Sequence, residues 1–144
     1  MPTVNQKIVL SMLLLTALPL RAELEVENAW IRSAPPGVTM LAGYATLTNN
    51  GDQEITIVAA ESDNFELVEM HETKEIEGVS SMQPIANFEI AGGETRQFKP
   101  LGAHFMLIKP HRSFPEGTTI NIDLILENDV RVTAAFVVRK GSEN

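Results

Sequence analysis

The chain contains no cysteine, a single tryptophan, a single tyrosine and only three histidines in 144 residues. Without cysteine there is no disulfide, no thiolate metal ligand, no thiol nucleophile and no thiol redox chemistry. A small domain of this kind must hold by its core alone. Positive charge is also scarce: 11 Lys and Arg stand against 19 Asp and Glu, a net charge of −8. That balance argues against nucleic acid and anionic lipid surfaces as partners, because both are bound through basic patches. Long apolar runs are missing too, with one exception at the N-terminus.

That exception is the run Ile8 to Leu20, preceded by Lys7 and followed by the small residue Ala22. A positive flank, a short apolar stretch and a small residue at a cleavage point make a secretory signal. Residues 1–22 are therefore read as a signal peptide and 23–144 as the mature domain, placed in the periplasm. The run is shorter than the about 20 apolar residues of a membrane span, so no stable membrane insertion is expected after cleavage. A retained N-terminal anchor is the alternative, and no cysteine follows the run to carry a lipid. Removing Lys7 and Arg21 leaves 9 basic and 19 acidic residues, a net charge of about −10.

The remainder reads as one all-β domain, with period-two alternation in short runs closed by turn residues. Leu24, Val26 and Trp30 are expected on one face of the first run. Tyr44 to Asn49 follows the Pro35-Pro36-Gly37 break and ends at Asn49-Asn50-Gly51. Ile55, Ile57 and Ala59 alternate next, then come Phe65 to Thr73, Glu94 to Phe98 and Ala103 to Lys109. Thr118 to Leu126 and Val130 to Val138 form a hairpin about Glu127-Asn128-Asp129. Eight or so strands with no long helix indicate a Greek-key β-sandwich or barrel.

What the chain does have is a set of soft potential metal ligands: His71, Met82, His104 and Met106. Thioether sulfur and neutral imidazole suit monovalent copper better than zinc, calcium or magnesium. His104 and Met106 are two apart on a strand and share a face. A four-residue loop over Glu75 to Gly78 would oppose His71 directly to Met82, with Cβ atoms about 4.5–5.5 Å apart. The two pairs would then meet across a sheet edge or sandwich mouth as an N2S2 site. Taken singly, each residue also has a packing reading. Met40, Met70 and Met106 would be core fillers, Met70 pointing away from His71. His104 would be a core imidazole bonded to a backbone carbonyl, and His111 a surface residue. Glu72, Glu75 and Glu77 form a solvated loop, since no regular oxygen-ligand spacing connects them.

The spacing of His71, ten residues, Met82, twenty-one residues, His104, one residue and Met106 resembles the signature of the PCuAC family of periplasmic copper chaperones. Ala29-Trp30-Ile31-Arg32, Gly43-Tyr44-Ala45-Thr46-Leu47, Met70-His71-Glu72-Thr73 and Phe98 to His104 are similar to that family as well. The resemblance implies a cupredoxin-like β-sandwich that binds one Cu(I) per monomer through those four residues. It further implies transfer toward the CuA centre of cytochrome c oxidase, with a CuA-type oxidase subunit or a Sco-type thiol chaperone as the copper acceptor. Some relatives add a His- and Met-rich C-terminal extension for Cu(II). Nothing of that composition precedes Glu143-Asn144, so a second copper site is not expected.

Other classes fit less well. A blue-copper electron carrier needs a cysteine thiolate. No nucleophile-elbow motif is present, so the chain is not read as an enzyme. A metal-free extracytoplasmic β-sandwich interaction domain is the alternative, and it leaves the ligand spacing an accident. Both imidazoles must be unprotonated to bind, so copper affinity is expected to fall as pH drops through the range of free imidazole, about 6.5.

Overall fold

The computed structural model describes residues 23–141, and the expected signal peptide lies outside them. Among the described residues there are ten strands and no helix. They are β1 Leu24–Arg32, β2 Met40–Asn49, β3 Ile55–Glu61, β4 Phe65–Ile76, β5 Val79–Pro84, β6 Phe88–Ile90, β7 Thr95–Phe98, β8 Ala103–Pro110, β9 Thr119–Leu126 and β10 Arg131–Arg139. The hydrogen-bonded order is β5-β4-β8-β2-β1-β10-β9-β3-β6, with β7 on β2. A bridge between Ala60 of β3 and Val68 of β4 closes this path on itself. Only β1 and β10 run parallel, and the crossovers from β2 to β3 and β8 to β9 give the Greek-key topology. The expected single-domain Greek-key sandwich is the fold observed.

Alternation builds the core. On β9, Ile120, Ile122, Leu124 and Leu126 are all buried. Ala134, Phe136 and Val138 face them from β10, whereas Val130 stays exposed at the turn. Asp129 takes φ +63°, the left-handed residue of a three-residue hairpin turn. Phe88, Phe98, Phe105 and Phe136 form a chain of ring contacts with centres 4.4–5.7 Å apart. Aromatic pairs at this spacing add about 0.5–1.5 kcal/mol each beyond burial. Gly43 lets Phe105 lie close, since a Cβ there would sit 3.4 Å from the Phe105 Cβ.

Four local expectations are corrected. Trp30 does not share a face with Leu24 and Val26. A bulge between Glu27 and Trp30, with Asn28 at φ +49°, flips the strand so that Ile31 turns inward. One extra residue in a strand reverses every later side chain. Trp30 instead stacks outside on Tyr44, ring centres 4.7 Å apart, under the Arg139 guanidinium. A second shift after Ile57 buries Ala60 rather than Ala59. Met40 is 55% exposed on the outer side of β2, not a core filler. Finally, β4 runs on to Ile76, and β5 returns from a two-residue turn.

Candidate metal centre

That last difference resets the neighbours of His71. Glu77 and Gly78 take φ +52° and +77°, so both central turn residues are left-handed. This is the type I′ geometry whose twist matches the flanking strands. It pairs Ile76 with Val79, and hence Thr73 with Met82 and His71 with Pro84. The four-residue loop expected over Glu75 to Gly78 is overturned, and Met82 lies diagonal to His71. Diagonal neighbours are about 7–8 Å apart, within reach of a long side chain. The two-residue slip preserves parity, so both side chains still leave the same face.

The other half of the set joins through β8. His71 pairs directly with His104, and Glu69 with Met106. The two imidazole centres are 5.9 Å apart. The meeting occurs inside one sheet, along β5-β4-β8, and not across a mouth between sheets. Core packing fixes which way these residues point. Met70 and Phe105, each between site residues in sequence, are buried at 4% and 0% exposure. Their inward anchoring turns His71, His104 and Met106 to the outer face. Met70 thus packs in the core as expected. His111 is exposed in the loop after β8, its Nδ1 donating to the Asp63 carbonyl.

Exposure is graded across the set. His104 is buried at 7%, His71 and Met106 are half-buried, and Met82 on edge strand β5 is 57% exposed. His104 Nδ1 lies 3.1 Å from the Gly102 carbonyl, which can only accept, so Nδ1 carries the proton and Nε2 the lone pair. The carbonyl-bonded imidazole expected on the packing reading is therefore present, and it leaves the second nitrogen available. His71 Nε2 donates to Glu69 Oε2 at 2.7 Å. Glu69 escaped the sequence reading, although its position two residues before His71 puts it on the same face.

The residues present fit a soft ion. With metal–nitrogen bonds of about 2.0–2.1 Å and about 1 Å more to each ring centre, two imidazoles on one ion have centres about 5–6 Å apart. The observed separation lies in that range. Among the described residues no three His, Cys, Asp or Glu side chains converge as a metal site. The candidate set on this face instead combines two imidazoles with the thioethers of Met82 and Met106, a combination that favours Cu(I). Hydrogen bonds from Thr133 and Arg131 hold the Asp123 carboxyl below its ordinary range, and hydrogen bonds to the Asp123 and Glu61 carboxylates raise Arg131.

Comparison with known proteins agrees with this architecture. The family model described as putative lipoprotein LpqE-like matches residues 24–138. A putative lipoprotein from Leifsonia xyli subsp. xyli is 30% identical over 69% of this chain, which spans only 60% of that protein's length. The Cu(I) form of DR1885 from Deinococcus radiodurans is 28% identical, with a TM-score of 0.66 over 90% of this chain and 84% of its own. The copper-bound PCuAC domain of PmoF2 has a TM-score of 0.69 at 19% identity, over 83% of this chain and 95% of its own. At that identity the second structure speaks for the cupredoxin-like fold alone. The chain belongs to the LpqE-like family, of the PCuAC type.

Proposed function

We propose that this protein is a copper carrier outside the cytoplasm, binding one Cu(I) per monomer through His71, Met82, His104 and Met106. The observation that carries the reading is the register of β4 against β8, which opposes His71 to His104 and sets Met106 beside them on an outer face. Its support from relatives is the likeness to the Cu(I) form of DR1885. Export is supported by the putative-lipoprotein description of the family.

The donor set accounts for both holding and releasing the ion. Four neutral ligands leave a net +1 centre, which does not strongly favour Cu(II). Met82 is the exposed donor on an edge strand, so it is the first that an incoming ligand can displace. A partner's thiolate, softer and charged, then replaces a thioether while both imidazoles still hold the ion. A Sco-type thiol chaperone or a CuA-type oxidase subunit has that chemistry, and either is the proposed acceptor.

X-ray absorption on the Cu(I)-loaded protein tests the site directly. Two sulfur and two nitrogen neighbours at one copper per chain are expected, with binding weakened in each of the His71→Ala, Met82→Ala, His104→Ala and Met106→Ala variants. Absence of sulfur ligation, or unchanged affinity in all four variants, overturns the four-residue site, and failure to take up copper at all leaves a metal-free interaction domain.

A further inference from the structure

One polar atom on the outer face is left without a partner by the fold. Among the described residues, His71 Nδ1 is the buried side-chain nitrogen that makes no hydrogen bond. The other nitrogen of that ring is firmly engaged, because Glu69 Oε2 lies 2.7 Å from Nε2. An ionised carboxylate only accepts, so Nε2 carries a proton. A second proton on Nδ1 would bury an unpaired N–H, which costs about 1–3 kcal/mol or more when the group is charged. The neutral ring with its lone pair on Nδ1 avoids that cost. His104 is the mirror case, with Nδ1–H on the Gly102 carbonyl and the lone pair on Nε2.

We infer that Glu69 is a positioning residue that holds His71 in the Nε2–H tautomer, so that a bound metal is taken by Nδ1 of His71 and by Nε2 of His104. This rests on the copper reading above and adds which nitrogen of each ring is the donor. Metal-bound histidines characteristically donate their other N–H to a carboxylate or a carbonyl, which orients the ring and raises its basicity. Both halves of that pattern stand side by side here, the carboxylate on His71 and the carbonyl on His104. Glu69 is fixed for this task by its strand, since it pairs with Met106 and Met70 beside it is buried in the core.

The test begins on metal-free protein, labelled with nitrogen-15, at a pH where both rings are neutral. Long-range proton–nitrogen correlation spectra are expected to show His71 as the Nε2–H tautomer and His104 as the Nδ1–H tautomer. Addition of Ag(I), a closed-shell stand-in for Cu(I), is expected to move the Nδ1 resonance of His71 and the Nε2 resonance of His104. Finding His71 protonated on Nδ1, or its Nε2 as the nitrogen that moves, overturns the inference. The expected tautomers with no response to Ag(I) or Cu(I) at either ring overturn the copper reading while the tautomer lock stands. Glu69→Leu is expected to mix the tautomers of His71 and to weaken Cu(I) binding by about 10–100-fold. Glu69→Gln, whose amide oxygen can still accept from Nε2–H, is expected to restore the single tautomer and most of the affinity. Equal losses in the two variants, with the tautomer unchanged in both, also overturn it.

Discussion

His71 of β4 and His104 of β8 are direct cross-strand partners, although 32 residues lie between them, and their ring centres are 5.9 Å apart. Each ring uses one nitrogen within the protein, His71 on Glu69 and His104 on the Gly102 carbonyl. The pair forms the fixed half of the proposed site. Met82, on the exposed edge strand, forms the adjustable half.

Met82→Leu should separate binding from folding. The side chain is 57% exposed, so its loss leaves the core intact and the unfolding midpoint nearly unchanged. Cu(I) affinity is expected to drop about tenfold or more, at least 1.4 kcal/mol. Competition titration against a Cu(I) chelator gives the affinity, and a thermal melt of the same preparation gives the stability.

Phe105→Ala should damage both properties. Phe105 is fully buried, touches Phe98 and Phe136, and anchors the strand that carries His104 and Met106. Removing a buried phenylalanine costs about 3–5 kcal/mol. Denaturant unfolding is expected to shift by that amount. A shift under 1 kcal/mol would mean that the ring is not the anchor described.

Asn49 is a buried corner residue with all its polar atoms used. Its Nδ2 donates to the Gln53 and Ile90 carbonyls at 2.7 and 3.0 Å, and its Oδ1 accepts from Gly51 N–H at 2.9 Å. Asn49→Leu leaves three backbone groups without these partners, an expected loss of about 2–3 kcal/mol. Hydrogen exchange at Gly51 should rise with it, and unchanged exchange would count against the assignment.

Asp123 should give the fold a measurable acid sensitivity. Its carboxyl is held below the ordinary value of 3.8, first by the Thr133 hydroxyl and then by Arg131. A depressed native value means that the charged form is stabilised by folding. That contribution is fully present above 3.8, shrinks as pH falls from there, and is gone below the native value. Asp123→Asn is therefore expected to cost about 1 kcal/mol near neutrality, reduced from a fully desolvated case by exposure of the cluster. The difference from the parent should vanish once both native and unfolded carboxylates are protonated. Paired melts across the acid range measure it, and a constant difference at every pH would overturn the assignment.

Much of the fold was legible because alternation is a local signal. The run Ile120, Ile122, Leu124, Leu126 had to put four apolar side chains on one face, and the acidic turn at Glu127 to Asp129 had to follow. Trp30 was misplaced for the opposite reason. The bulge at Asn28 is a backbone event with no change in apolar pattern to announce it, and a single extra residue turned the ring outward. Met40 looked like a filler by residue type, but its place opposite Ile108 on the outer side of β2 leaves it in solvent.

The sequence by itself determined the chemistry available to the candidate site: the imidazoles of His71 and His104, the thioethers of Met82 and Met106, no thiol anywhere in the chain and an acidic surround. It also determined parity, since residues two apart on a strand share a face in any register, and a slip by two keeps Met82 on the face of His71. Only the tertiary structure decided neighbours. The left-handed pair Glu77-Gly78 set Met82 opposite Thr73, and the pairing of β4 with β8 brought His71 to His104 and Glu69 to Met106. Strand pairing between distant segments depends on which buried side chains interlock. Here the inward packing of Met70 and Phe105 selects the arrangement that puts the four candidate residues on one outer face.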